Sequence, residues 1–143
     1  MSELTLRQAV AIAESALRKG RELSLDPLTV AVVDRAGHTK VLLREDGPGG
    51  PIRPGIAFGK AFGAAAMGRS SRQLGEMAVE RPHFLTALVG VTGGNIVPVP
   101  GGVTILADDE ELLGAVGVSG DTSDNDEACA ISGIEAAGLR AGS

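Results

Sequence analysis

The chain has 143 residues, with 18 acidic against 13 basic side chains, a net charge of −5, one cysteine, three phenylalanines and neither Trp nor Tyr. The acidic balance and the missing aromatic platforms argue against a nucleic-acid partner, and a lone cysteine excludes an internal disulfide framework. No apolar run approaches the roughly 20 residues that cross a bilayer and no basic-then-apolar leader opens the chain, so one cytoplasmic domain over residues 1–143, with no membrane contact, is expected.

The pattern from Leu6 to Lys19 is helical. Leu6, Ala9, Val10, Ala13, Ala16 and Leu17 share a stripe. Thr5 and Gln8 form a capping box, and Gly20 is a fitting stop. Asp26-Pro27 breaks the chain. Thr29 to Asp34 is rich in β-branched residues and predicts a buried strand. A turn over Arg35 to His38 returns it as Thr39 to Arg44, giving a hairpin. Residues 45–55 are a Pro/Gly loop in which Arg53 is the one basic residue.

A second helix is expected from Ile56 to Met67. Gly55, Gly59 and Gly63 recur every four residues on one face. That spacing predicts a very close approach, either to the sheet or to another helix, or a bare-backbone floor for a ligand. Ser70 and Gln73 form another capping box and open a helix to about Val79. Pro82 starts a short apolar one that Gly90 ends. Asn95 to Pro100 alternates Val with Pro and is at best an edge strand. Val103 to Leu106 and Leu112 to Val118 form a hairpin around Asp108 to Glu111, and a final helix runs from about Ser123 to Leu139. Sequential hairpins between helices predict an α+β domain with a mostly antiparallel, five-stranded sheet flanked by helices.

The densest signal is GAVGVSGDTSDNDEACA, where an apolar strand stops and Asp121, Asp124, Asp126 and Glu127 follow around a helix start. One of Thr122, Ser123 or Asp124 caps that helix. One or two acids complement a helix N-terminus; four repel one another. The surplus points to a cation, an Arg partner or a substrate hydroxyl. Neither a calcium loop, a Walker loop, a dinucleotide fingerprint nor a nucleophile elbow is present.

The segments VVDRAGH, GKAFGAAAMGRSS, GGNIVPVPGGVTI and GAVGVSGDTSDNDEA, in that order over nearly the whole chain, resemble the GlcG/HbpS family of haem-degrading-domain-like proteins. The resemblance implies a profilin-like fold and a homo-oligomer built from dimers, often of six or eight subunits. It also implies a small-molecule ligand, with haem or iron bound by characterised relatives. Two stretches depart from the usual pattern. Ser119-Gly120-Asp121 with Asn125-Asp126 stands where many members read SGG and a Gln-Asp pair, and Arg81 to Phe84 replaces a glycine-rich stretch.

Haem needs an axial His, Met, Cys or Tyr. His38 falls in a hairpin turn, whereas His83 opens an apolar helix beside Arg81 and is the candidate iron ligand. Cys129 lies among carboxylates that raise its pKa, so a buried structural thiol is expected. Lys60, Arg53 and Arg69 are candidates for holding an anionic group, with Gly94, Asn95, Asp124 and Glu127 as further ligand contacts. Two functions are carried forward. One is a haem- or small-anion-binding protein. The other is a cofactor-independent enzyme (isomerase, hydratase or lyase) on a small oxygenated acid, with His83, Asp121 and Asp126 as its proton-transfer groups. Both require the acidic helix start to share a cavity with Lys60.

Overall fold

The structure, a computed structural model, describes residues 2–142. Helix α1 (Leu6–Glu22) opens on Thr5, whose hydroxyl accepts from the Gln8 amide while the Gln8 side chain accepts from the Thr5 amide. Strands β1 (Thr29–Asp34) and β2 (Thr39–Arg44) form the expected hairpin. Next come α2 (Arg53–Met67), α3 (Ser71–Glu80) and α4 (Pro82–Val91). Strands β3 (Gly102–Leu106) and β4 (Leu112–Ser119), helix α5 (Ser123–Ala136) and the two-residue β5 (Arg140–Ala141) complete the chain. The sheet is antiparallel, in the order β2-β1-β4-β3-β5. It is the expected α+β architecture, consistent with a profilin-like fold.

Two differences from the sequence reading concern the sheet. Asn95 to Pro100 is not a strand. Its prolines lack the amides a ladder needs, and Ile96 and Val97 instead pack against α2 at Gly63 and Gly59. The fifth strand is β5, from two residues beyond the expected end of the last helix at Leu139, to which the sequence reading assigns no element; the helix itself stops at Ala136. Gly138 takes φ +78°, a conformation that ends the helix and returns the chain to pair with β3. Helix α2 also begins three residues earlier than expected, with Pro54 in its first turn, where a missing amide costs nothing.

The central strands β1 and β4 are covered on both faces, which accounts for their nearly unbroken apolar runs. On one face α1 and α5 cover Val30, Val32, Val103, Val116 and Val118. On the other, α2 lays Ala57, Ala61 and Ala64 on Ala31, Val33 and Ala115. The close approach there comes from the sheet as well as the helix. A Cβ at Gly117 of β4 would lie 2.1 Å from the Ala57 carbonyl oxygen and 2.7 Å from the Ala61 nitrogen. The helical glycines serve different neighbours. Gly59 admits Val97, Gly63 admits Leu74 and Ile96, and Gly55 meets nothing within 4 Å. Helices α3 and α4 extend from the α2 layer, and α4 approaches no other element than α3.

Replacing Gly117 with Ala is expected to force α2 off the sheet and to destabilise the fold by at least about 2 kcal/mol, the scale of overpacking a closed core. Chemical denaturation of the variant checks this; an unchanged midpoint would show that the layers have slack.

Candidate functional site

Strand β4 ends at Ser119, and Gly120 (φ +149°) turns the chain into the acidic start of α5. Lys60 of α2 reaches this point from across the sheet. Its Nζ donates to the Val118 carbonyl at 2.8 Å and to Asp126 Oδ2 at 3.2 Å. The other Asp126 oxygen, Oδ1, accepts from the Asp121 amide at 3.0 Å. The two charged side chains are 3% and 2% exposed. Gly101 makes room for the ammonium. It sits at φ +131°, and a Cβ there would lie 2.7 Å from both Lys60 Nζ and the Val118 oxygen. The Gly101-Gly102 pair, which reads in sequence as a plain turn, is therefore shaped around a lysine head.

Burial draws the two titrations together. It pulls the Lys60 pKa below its ordinary value, with the attraction of Asp126 working in the opposite direction. It pushes that of Asp126 up, against the hydrogen bond from the Asp121 amide and the charge of Lys60. Each group leaves water and recovers only part of its hydration from the other.

The remaining acids have partners of their own. Asp121 accepts from the Asp26 amide at 3.0 Å, the Thr122 amide at 2.8 Å and Asn125 Nδ2 at 2.8 Å. These bonds, that from Asn125 foremost, hold its carboxyl below the usual range. Thr122 is the N-cap, its hydroxyl accepting from the Asn125 amide at 3.2 Å. Asp124 and Glu127 both turn to Arg72 of α3, whose Nε lies 3.2 Å from each Glu127 carboxylate oxygen. The surplus of acid is thus met within the chain by two cations, Lys60 and Arg72. Arg72 escaped the sequence reading because it lies 55 residues from Glu127. Only the packing of α3 on α2 and β3, with the reach of a long arginine side chain towards α5, brings them together.

Lys60 and Asp126 meet, but the expected cavity between them is not there: the ion pair fills the space and is closed to solvent. Arg53 stands in the first turn of α2, half-buried, beside the loop Gly47 to Gly50, in a crevice of about 10 Å³, close enough to bear on the charges of both Lys60 and Asp121. Arg69 is exposed between α2 and α3. It borders a hollow of about 310 Å³ with Gln73, Glu76, Met77, Glu80 and Arg81, and one of about 510 Å³ with Thr104, Glu110 and Leu112. Gly94 and Asn95 are exposed beyond the end of α4. His83 is exposed on the first turn of α4, and the Arg81 guanidinium lies 4.2 Å over the ring of the adjoining Phe84. His38 is exposed in the β1–β2 turn. Cys129 is buried, its thiol pushed up to about 11 by burial and then by Asp126 and Asp121. Among the described residues no cluster of three metal-ligating side chains occurs and no helix is long and apolar enough to cross a membrane.

A family model described as haem degrading protein HbpS-like matches residues 4–135. The chain belongs to this family. Among solved structures it resembles the PduOC–heme complex, at 25% identity over 99% of this chain and 98% of that one, with a TM-score of 0.84. A double mutant of Streptomyces reticuli HbpS is 30% identical over 94% of this chain and 87% of its own, with a TM-score of 0.82. A Klebsiella pneumoniae protein, ORFY, is 25% identical over 96% of this chain and 93% of its own, with a TM-score of 0.85. No curated protein matches the chain by sequence.

Breaking the buried pair from one side is expected to cost about 3–5 kcal/mol, and replacing both members with apolar residues less than either single change. Lys60→Met, Asp126→Leu and the double variant, compared by denaturant unfolding, test the coupling; additive losses would mean the pair is not a unit. The pH response has a defined sign. In Lys60→Met the Asp126 carboxyl keeps its burial and loses its cation, so its folded pKa rises further above the ordinary 3.8. A carboxyl raised on folding favours the native state while protonated. The variant is therefore expected to lose stability as pH climbs above that ordinary value through the raised one, more steeply than the native sequence, as unfolding midpoints over a pH series would record.

Proposed function

We propose that this chain is a ligand-binding protein of the HbpS type, working as a homo-oligomer and taking haem or a similar small anionic ligand. The observation that carries the reading is the family match over residues 4–135 together with likeness, over 99% of the chain, to a protein crystallised with heme. The residues of α4 fit such a group. His83 offers an imidazole to solvent from a helix with no charged side chain, and a neutral imidazole is a good iron ligand. Arg81 supplies a cation beside it for a propionate, with Phe84 as an apolar neighbour. When bound, haem supplies the redox-active iron; the chain supplies the ligand atom and the cation, with Phe84 as an apolar contact. Cys129 is too deeply placed and too weakly ionised to compete as ligand.

Arg69 stands at the edge of the hollow that Arg81 also borders, but Glu76 and Glu80 line the same hollow and offset both cations, so Arg69 ranks behind Arg81 for an anionic edge. Arg53 belongs to a different surface, near Asp121, and would serve a smaller anion. The alternative of a cofactor-independent enzyme has less support. Its candidate proton carrier Asp126 and its candidate anion clamp Lys60 are spent on each other below the surface, and Asp121 already accepts three hydrogen bonds.

Hemin titration of the purified chain is expected to give a saturable Soret band, and His83→Ala to weaken the binding at least tenfold, equivalent to about 1.4 kcal/mol. A band that is absent removes the haem reading. One that is the same in His83→Ala removes the assignment of the ligand.

A further inference from the structure

Between Arg81 and Ile96 the chain leaves the body of the protein and comes back. The two ends of this excursion are fixed. On the way out, Leu74 of α3 is fully buried, the Ser71 hydroxyl accepts from the Gly102 amide at 2.7 Å, and a Cβ at Gly75 would lie 2.7 Å from the Pro98 carbonyl oxygen. On the return, Ile96 packs at Gly63, and the Val97 amide donates to the Gly59 carbonyl at 3.3 Å. Helix α4 lies between these anchors and meets no element but α3. Among the described residues, every hydrogen bond made by residues 82–95 ends within residues 81–95. That segment carries no Asp, Glu, Lys or Arg to form an ion pair. Of the ten residues of α4 only Leu85 is buried, at 4% exposure.

Both ends of the helix are built to turn. The Arg81 amide closes α3 on the Met77 carbonyl at 2.7 Å, and the Arg81 carbonyl starts α4 by accepting from the Phe84 and Leu85 amides at 3.1 and 3.2 Å. Pro82 has no amide with which to extend the α3 ladder, and Arg81 is non-helical, at φ −135° and ψ 66°. At the other end Gly93 and Gly94 take φ +69° and +85°, and a Cβ at either would meet nothing within 4 Å. A helix this short is marginal by itself in water. Its order depends on one docked leucine and the half-buried Phe84, Leu88 and Val89 beside it.

We propose that α4 is a flap, hinged at Arg81 and at Gly93-Gly94 and tethered by Leu85, that opens as a unit while the sheet and the other helices stay folded. The flap carries His83. Its regulation of ligand binding rests on the haem-binding reading above: a haem that binds the docked helix better than the open one shifts the balance towards the docked form, so bound haem holds the flap shut and opening releases it.

Native-state hydrogen exchange of the full chain, with and without hemin, tests both statements. The amides of Thr86 to Thr92 are expected to exchange together, at least tenfold faster than those of β1. Leu85→Ala should bring them close to the rate of an unstructured chain while the β1 amides stay protected. Equal protection of α4 and β1 overturns the flap, as does a Leu85→Ala chain whose sheet unfolds with α4 or whose α4 exchange is unchanged. Saturating hemin should slow the α4 amides at least tenfold. A saturated Soret band with α4 exchange unchanged overturns the coupling alone. An absent band removes the haem reading and the coupling with it, and leaves the flap intact.

Discussion

The buried pair of Lys60 and Asp126 is the constraint around which the end of the sheet is arranged. Helices α2 and α5 lie on opposite faces of the sheet, and this pair joins them past the end of β4. Its geometry sets several neighbours at once. The Val118 carbonyl, the Asp121 amide and the Gly101 backbone all take positions dictated by one ammonium and one carboxylate. A buried ion pair is weak evidence of net stability, because desolvation consumes much of the attraction. What it does impose is register: only one seating of α5 against β4 lets both charges leave water together.

The acidic start of α5 is consequently a structural junction more than an open wall. Four carboxylates that look like a surplus along the chain are divided between a sealed lysine, an arginine from α3 and a set of backbone amides. Free ligand chemistry is therefore sought on α4, which packs on α3 and carries His83 in the open beside an arginine stacked on phenylalanine. This separation lets a family preserve its fold at one place while its ligand preferences vary at another.

Much of the architecture was legible in the sequence because it depends on local chemistry. The Thr5 and Ser70 capping boxes, the β-branched run of β1 and the hairpins need only neighbouring residues to be recognised. The edge-strand reading of Asn95 to Pro100 fails, and β5 goes unread, because both depend on distant partners: Gly59 and Gly63 receive the former, and β3 receives the latter. Among site residues, the meeting of Lys60 with the acidic helix start was anticipated. The seal over it was not, since burial is a property of the packed layers. Arg72 carried no local signal at all. The order of the sheet, with β4 set between β1 and β3, also lies beyond any local pattern.

The seating of Cys129 has a practical corollary. Its sulfur lies in the α1–α5 layer, close to Gly20, where it is both out of reach and held protonated, with a pKa of about 11. In an unfolded chain the same group would ionise near 8.5. A thiol-directed reagent at mildly alkaline pH would therefore react with opened molecules far faster than with closed ones. The one cysteine thus acts as a built-in clock for how often the helical layer lifts from the sheet.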